Sequence, residues 1–192
     1  MKRLFIGLPI QIVDLGESFS GDIKKLKIGA DRRDMGVKWT PIENYHITLN
    51  FIGEVEEKKI EVLIESISQS LQNFSTFTLK IKNMGAFVSV SEARALWVGV
   101  QKSFELIDLQ KTLHQALMET GYSQDKRDFS PHATIGRLRN HRNVKDLISP
   151  FVRKKYGKVN VSEVVLFESV LGGPHSSYKP LKRFVAQSDT LC

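Results

Sequence analysis

A short segment occurs twice in this chain, once in each half. Residues 46–49 read His-Ile-Thr-Leu, and residues 132–135, 86 positions later, read His-Ala-Thr-Ile. Each copy begins a run in which polar and apolar residues alternate, as is typical of a β-strand with one buried face. This repeat constrains the fold more than any other feature, because it predicts two similar lobes that each contribute one strand to a shared cleft.

The remaining sequence alternates between strand-like and helix-like runs, without a linker or a low-complexity tract. Strands are expected at residues 4–10, 46–52, 77–81, 95–100, 130–138, 159–170 and 181–185. Helices are expected at residues 11–28, 56–71, 104–118 and 144–156, and a turn at residues 172–174. This order predicts an α+β fold with antiparallel sheets, in which residues 1–192 form a single domain of two intertwined lobes.

The charge of the chain is unevenly distributed. Its 192 residues carry a formal net charge of +7, of which residues 1–96 contribute +1 and residues 97–192 contribute +6. A basic half of this kind favours a polyanionic partner such as RNA.

The use of cysteine and of apolar residues narrows the class of protein further. The only cysteine is Cys192, so we expect neither an intrachain disulfide nor a cysteine-based zinc site. The chain has no signal-like start and no run of about 18 apolar residues. These features predict a protein of the cytoplasm without a membrane span.

The chemistry that the repeat favours follows from the pleat of a strand. Because residues i and i+2 point to the same side, His46 and Thr48 share one face, as do His132 and Thr134. Imidazoles exchange protons near neutral pH, so two of them can act as acid and base in an in-line displacement at phosphorus. The threonine hydroxyls can donate hydrogen bonds to phosphate oxygens as charge develops there. The four residues together favour phosphoryl transfer that requires no metal ion or cofactor.

Two observations limit the weight of the motif by itself. A third His-x-Ser match, at residues 175–177, lacks a strand context and is interpreted as a loop. Taken singly, each motif histidine could also be an ordinary core or edge residue with its hydrogen bonds satisfied. The pairing of the two copies, with apolar residues at the same offsets, favours the catalytic interpretation.

On these and other segments the chain resembles the 2H phosphoesterase superfamily, in the branch of RNA 2′,3′-cyclic phosphodiesterases also called 2′-5′ RNA ligases. The resemblance covers nearly the whole chain. It is carried by RLFIGL (3–8), WTP (39–41), NYHITLNFIG (44–53), GAF (85–87), ALWVGV (95–100), FSPHATIGR (129–137) and FES (167–169). The chain departs from the usual pattern at Ala133 and Gly136, which lie beside the motif.

The resemblance implies a bilobal α+β fold with pseudo-twofold symmetry and an open central cleft. It also implies hydrolysis of a terminal RNA 2′,3′-cyclic phosphate to a 2′-phosphate, in which the 3′ oxygen leaves. By similarity, His46 would be the general acid and His132 the general base, while Thr48 and Thr134 would hold the phosphate.

Two further residues match positions of the family. Arg137 matches a position at which the family often has a phosphate-contacting arginine, although it could also be a solvated residue at the end of a strand. Phe51 matches a position with an aromatic residue near the terminal base, although it could also belong to the core. Trp39 and Trp97 are expected to be packing residues.

Other functions remain open at the level of sequence. The same histidines could join a 2′,3′-cyclic phosphate to a 5′-hydroxyl, as a 2′-5′ RNA ligase acting on tRNA halves would do. The substrate could instead be another cyclic nucleotide, such as ADP-ribose 1″,2″-cyclic phosphate. A non-catalytic RNA-binding module that has kept the cleft is disfavoured, since all four motif residues are present. We expect the protein to act as a monomer.

Overall fold

One antiparallel sheet extends through the protein and carries both copies of the repeat. The computed structural model describes residues 1–11, 15–122, 128–170 and 177–187. Its strands are β1 (Lys2–Pro9), β2 (Val37–Trp39), β3 (His46–Val55), β4 (Phe77–Phe87), β5 (Ala93–Val100), β6 (His132–Arg142), β7 (Lys155–Val161), β8 (Glu163–Val170) and β9 (Ser177–Val185). The α-helices are α1 (Gly16–Asp31), α2 (Ile60–Ser70), α3 (Phe104–Glu119) and α4 (Lys145–Ile148).

The order of the strands is symmetric about the middle of the sheet. Neighbouring strands follow the order β7-β4-β5-β6-β3-β1-β8-β9, and the short β2 pairs with β6. We call β3, β1, β8 and β9 the first half and β6, β5, β4 and β7 the second half. In each half an outer strand precedes a helix and the central strand comes after it, as β1, α1 and β3 and as β5, α3 and β6, with the short β2 inserted between α1 and β3. The predicted bilobal α+β fold is confirmed, and its lobes are two halves of one sheet.

The helices cross from one half to the other. Helix α1 follows a strand of the first half but contacts β7 and α4, which belong to the second half. Helix α3 follows a strand of the second half but contacts β3 and α2. The buried residues of α1 (Phe19, Ile23 and Leu26) recur at helical spacing, which explains why this segment forms an amphipathic helix. Each of these two helices therefore packs against the half of the sheet opposite to the strand that precedes it.

The structure corrects two predictions near the carboxyl-terminal end. Residues 144–156 are not one helix, because α4 is followed by a 3₁₀ turn (Ser149–Phe151) that contains Pro150, and the chain then enters β7. Residues 159–170 are not one strand, because the chain passes from β7 in the second half to β8 in the first half at Ser162. The apolar patterns of residues 144–156 and 159–170 depend only on neighbouring residues. The strands that pair with β7 and β8 lie far away in sequence, so these patterns could not show where one element ends and the next begins.

The other predicted elements are present with shifted ends, and β2 is an addition. The predicted turn at residues 172–174, most of the third His-x-Ser match and Cys192 lie outside the described residues. None of the helices in the described ranges has the length and apolar character that a membrane crossing requires.

Candidate active site

The two copies of the motif meet at the middle of the sheet. Ile47 of β3 pairs with Ala133 of β6 in an antiparallel register, and both side chains are fully buried. In this register each motif histidine lies across from the motif threonine of the other strand. The two histidines and two threonines are partly exposed. The four side chains therefore line one open cleft at the boundary between the two halves.

Matching hydrogen bonds orient the two imidazole rings. Nδ1 of His46 lies 2.7 Å from the carbonyl oxygen of Asn44, and Nδ1 of His132 lies 2.7 Å from the carbonyl oxygen of Ser130. A carbonyl oxygen only accepts, so in each ring Nδ1 carries the hydrogen and donates it. Nε2 of each ring is therefore the atom that can exchange a proton with a substrate.

Aromatic side chains from the first half of the sheet surround His46. The ring centroid of His46 lies 4.8 Å from that of Tyr178, 4.9 Å from that of Phe5 and 5.9 Å from that of Phe167. Removal from water lowers the pKa of His46 to about 4, although its bond to Asn44 opposes this effect. Repulsion by Arg137, and by His132 when that ring is protonated, contributes to the same lowering of the pKa. Without substrate, His46 is therefore neutral at neutral pH.

His132 has different neighbours in the second half of the sheet. Phe87 packs edge-on against it with 4.7 Å between ring centroids, and Phe87 in turn lies 5.5 Å from Trp97. Phe87 of β4 occupies the place that Phe167 of β8 occupies in the first half, because β4 and β8 hold equivalent positions in the sheet. The two histidines thus hold equivalent positions in the sheet, but the side chains that contact them differ.

A β-bulge in each central strand directs a further residue into the cleft. Thr48 pairs with Gly7 and Asn50 with Ile6, so the register omits Leu49. The pairs of β6 with β5 omit Ile135 in the same way. Such an extra residue reverses the alternation of a strand beyond it. Residues three positions after each motif threonine therefore share the face of the motif instead of pointing into the core.

Those two residues are Phe51 and Arg137. Phe51 is 48% exposed and contacts Phe5 with 6.1 Å between ring centroids, so it lies at the rim of the cleft and not in the core. Arg137 is exposed, and its charge affects His46 across the boundary between the halves. An aromatic ring and a guanidinium thus occupy equivalent places on opposite walls.

Glycines next to the motif provide room for the site. A Cβ at Gly7 would lie 3.0 Å from the carbonyl oxygen of Ile47 and 3.5 Å from Cδ2 of His46. A Cβ at Gly136 would lie 2.8 Å from Val37 and 3.0 Å from the Trp39 ring, both of which belong to β2. Gly136 thus accommodates β2, a strand that the sequence did not predict.

Several residues of the site have no signal in the local sequence. Phe5, Phe167 and Tyr178 belong to strands from both ends of the chain, and they meet at His46 only because β1, β8 and β9 are neighbours. The residues that flank a motif in sequence cannot reveal such contacts, because the contacts depend on strand order. Phe87, which contacts His132, is also far from it in sequence.

Comparison with known proteins gives a family for this arrangement. The sequence profile of the 2′-5′ RNA ligase superfamily matches residues 16–173. The chain is 34% identical to the RNA 2′,3′-cyclic phosphodiesterase of Archaeoglobus fulgidus over 78% of its own length and 84% of that protein. It is 30% identical to the RNA 2′,3′-cyclic phosphodiesterase of Methanothermobacter thermautotrophicus, over 90% of its own length and 95% of that protein.

Solved structures agree in fold. The crystal structure of E. coli LigT complexed with 3′-AMP superimposes with a TM-score of 0.72 at 23% identity and covers 97% of this chain and 99% of LigT. TT0787 of Thermus thermophilus superimposes with a TM-score of 0.76 at 19% identity, with the same coverage of both chains. The fold is that of the two-histidine phosphoesterases. The chain belongs to the 2′-5′ RNA ligase superfamily.

Proposed function

We propose that this protein hydrolyses the 2′,3′-cyclic phosphate at the end of an RNA to a 2′-phosphate, without a metal ion, through acid–base catalysis by two histidines. Membership of the family and the names of its relatives support the reaction. The observation that carries the mechanism is the pairing of Ile47 with Ala133, because it brings two imidazoles with the same tautomer to one cleft.

In this mechanism the two rings act on opposite sides of phosphorus. Nε2 of His132 accepts a proton from water as the water oxygen attacks phosphorus, and the bond between phosphorus and the 3′ oxygen breaks. Nε2 of His46 donates a proton to the departing 3′ oxygen. The products are a 2′-phosphate and a 3′-hydroxyl, and proton exchange with solvent restores the starting forms of the rings. The hydroxyls of Thr48 and Thr134 donate to the nonbridging oxygens as they gain charge.

The low pKa of His46 requires an explanation, since a general acid must carry a proton. A bound phosphate anion lies beside His46 and offsets the positive charge of Arg137, so substrate binding raises the pKa of His46. The same low pKa in the free protein is the one observation that favours exchanged roles, with His46 as the base and His132 as the acid.

A substrate with sulfur in place of the bridging 3′ oxygen distinguishes these roles. A thiol has a pKa of about 8.5, so the leaving thiolate needs little help from an acid. If His46 is the acid, His46→Ala recovers most of its lost rate on this substrate, whereas His132→Ala does not. Recovery by His132→Ala alone would establish the exchanged roles instead.

Arg137 and Phe51 bind the substrate from opposite walls of the cleft in this proposal. The Arg137 guanidinium contacts the phosphate, and the exposed ring of Phe51 stacks on the terminal base. Stacking of a base on an aromatic ring contributes about 1–3 kcal/mol, so Phe51→Leu should raise KM for a cyclic nucleotide roughly tenfold or more and leave kcat nearly unchanged. Arg137→Gln should lower kcat/KM. Unchanged kinetics in either variant would remove that residue from the proposal.

The regiochemistry of the product tests the reaction itself. We expect the protein to convert adenosine 2′,3′-cyclic phosphate and short RNAs with cyclic ends to 2′-phosphates in excess EDTA, followed by ³¹P NMR. A 3′-phosphate product would mean that the other oxygen leaves. Loss of turnover on chelation would contradict a mechanism without metal.

Joining of RNA ends is the related alternative, since a 5′-hydroxyl can replace water in the same step. Water at roughly 55 M competes with any bound alcohol, so hydrolysis should dominate unless the alcohol is held in place. Action on a different cyclic nucleotide also remains an alternative, and the same assay with other cyclic phosphates tests it. The monomeric state and the cytoplasmic location stay predictions.

A further inference from the structure

Three cations, Lys38, Arg137 and Arg139, lead away from the catalytic cleft along β6 and β2, and we call them the basic strip. Because Leu138 between the two arginines is buried, both exposed arginines lie on the face of β6 that carries the motif. Lys38 of β2 pairs with Arg137 in antiparallel register, so its exposed side chain lies on the same face. Arg139 lies roughly 6–7 Å beyond Arg137 along the strand, which is similar to the distance between successive phosphates of an extended RNA chain.

Packing on the other face of β2 orients Lys38. Gly136 leaves room for Val37 and Trp39 against β6. Trp39 is a packing residue, as the sequence predicts, and Nζ of Lys27 from α1 lies 5.7 Å from the centroid of its ring. Since neighbouring residues of a strand point to opposite sides, the anchoring of Val37 and Trp39 directs Lys38 to the face of the cleft.

The basic strip has no neutralising carboxylate among the described residues. Strands β2 and β5 both pair with β6, and the three strands contain no aspartate or glutamate. None of the ion pairs in the described ranges includes a residue of the strip. A further cation, Arg94, donates a hydrogen bond to the carbonyl oxygen of Arg139 at 3.2 Å. Like charges that lie directly opposite each other destabilise a sheet, so Lys38 beside Arg137 has a cost in stability that a bound anion removes.

The first half of the sheet is different at the equivalent place. The corresponding positions of β3, 86 residues earlier than the two arginines, are occupied by Phe51 and Gly53. Lys2 of the neighbouring β1 is neutralised by Glu168 at 3.3 Å. The unneutralised charge beyond the motif therefore lies on one wall of the cleft, and it gives a polyanion one favoured direction.

A second basic surface lies beside His132. It is a groove of about 180 Å³ whose lining includes Lys82, Lys102 and Trp97, and it opens on the side of His132 away from His46. In the proposed mechanism the 3′ oxygen leaves beside His46, so the water that attacks in line arrives beside His132. An RNA chain in the groove would exclude this water. The groove has to stay open to solvent during hydrolysis, whereas the basic strip does not.

We propose that Lys38 and Arg139 bind the two backbone phosphates immediately 5′ to the cyclic end of the RNA, so that the chain leaves the cleft over β6 and β2. This inference rests on the proposed function, in which Phe51 holds the terminal base and Arg137 the cyclic phosphate. Contacts to phosphates provide affinity and direction without recognition of base sequence. The preferred substrate is therefore an RNA of at least three nucleotides of any sequence, rather than a cyclic mononucleotide.

The dependence of binding on RNA length tests this proposal. RNAs that end in a 2′-phosphate are products, so their Kd can be measured by calorimetry without turnover. A trinucleotide of this kind with a 5′-hydroxyl has two backbone phosphates that adenosine 2′-phosphate lacks, and it should bind roughly tenfold or more tightly. The slope of log Kd against log salt should be greater for the trinucleotide by about 1.4, or 0.7 for each phosphate contact. A hexanucleotide should bind about as tightly as the trinucleotide.

The double variant Lys38→Gln/Arg139→Gln removes the two proposed contacts. It should lose both the gain in affinity with length and the added salt dependence, so that the trinucleotide binds like adenosine 2′-phosphate. Because Lys38 and Arg137 repel each other, the midpoint of urea unfolding of this variant should be equal to or higher than that of the wild-type protein. A residue with a purely structural role would lower the midpoint instead.

Two other double variants remove the same charge elsewhere. Lys24→Gln/Lys111→Gln changes exposed positions of α1 and α3, and Lys82→Gln/Lys102→Gln changes the groove. Both variants should keep the full gain in affinity with length. The proposal is overturned if the wild-type protein shows no such gain, if the helix variant loses as much of the gain as the strip variant, or if the groove variant alone loses it.

Hydrolysis of adenosine 2′,3′-cyclic phosphate by the same preparations separates the two proposals. Turnover without a gain in affinity with length rejects the basic strip and leaves the proposed function intact. Absence of turnover rejects the proposed function. If the gain is then present and is lost only in Lys38→Gln/Arg139→Gln, the basic strip is supported as a binding site for RNA ends.

Discussion

His46 and Tyr178 are in edge-to-face contact, with 4.8 Å between their ring centroids, although β3 and β9 are far apart in sequence. The contact helps to exclude water from His46, and this exclusion is the main reason for the low pKa of the imidazole. The residue that we propose as the general acid is thus neutral at neutral pH in the free protein.

Titration of His46 by NMR should show this effect. In the free protein we expect a pKa of about 4. Adenosine 2′-phosphate should raise the pKa, because its negative charge favours the protonated ring. Tyr178→Ser should also raise it, since water then reaches the imidazole. A pKa near 6.5 in the free protein, unchanged by either treatment, would contradict the account of the site.

Stability should depend on pH through the same residue. The folded pKa of His46, about 4, lies below the ordinary value of 6.5, so the unfolded chain binds a proton more readily between these values. The stability associated with a neutral His46 is therefore complete above pH 6.5 and decreases as the pH falls toward 4.

Urea unfolding at pH 7.5 and pH 5 measures this contribution of His46 to the free energy of unfolding. The wild-type protein should lose about 2 kcal/mol more of its free energy of unfolding between these pH values than His46→Gln, which has no group to protonate at this position. Titrating groups that do not interact with His46 contribute equally to both proteins and cancel in the comparison. Equal losses would show that His46 is not shielded from water.

The space at Gly7 should be necessary for activity. Gly7→Ala places a methyl group 3.0 Å from the carbonyl oxygen of Ile47, so the backbone of β3 next to His46 must shift, and the imidazole is carried with it. A displacement of about 1 Å can lower a rate roughly 100-fold, and we expect kcat/KM to fall about 10- to 100-fold.

Gly21→Ala is the control for this substitution. Gly21 lies in α1, and a Cβ there meets no atom of the described residues within 4 Å. Its activity should equal that of the wild-type protein, and its free energy of unfolding should be equal or higher by up to about 1 kcal/mol. Full activity of Gly7→Ala would show that the position of His46 tolerates the added methyl group.

The sequence predicts the direction of some side chains of this site and not of others, and strand geometry explains the difference. His46 and Thr48 share a face because a strand has a period of two, and this rule requires no knowledge of the fold. The rule places residues 51 and 137 on the opposite face, and bulges at Leu49 and Ile135 reverse that outcome. The family resemblance could suggest roles for Phe51 and Arg137, but the local pattern could not give their direction.

Contacts across the sheet account for most of what the sequence could not predict. Tyr178 reaches His46 because β9 and β8 lie beside β1, and strand order has no signal in local periodicity. The break at Ser162 between β7 and β8 was missed for the same reason, since the apolar pattern continues while the partner strands change. Trp97 is a packing residue, as expected, and its ring lies against Gly85 and Gly99. The groove that its exposed part lines is formed together with residues of neighbouring strands, which the local sequence does not identify.

Single-turnover rates of the histidine variants test the central claim most directly. With adenosine 2′,3′-cyclic phosphate in EDTA, His46→Ala and His132→Ala should each lower the rate roughly 10²- to 10⁴-fold, because each ring transfers a proton in the same step. His141→Ala, at an exposed position of β6, should match the wild-type protein. A rate within about threefold of wild type in either motif variant would contradict catalysis by two opposed histidines, since loss of an acid or base costs far more.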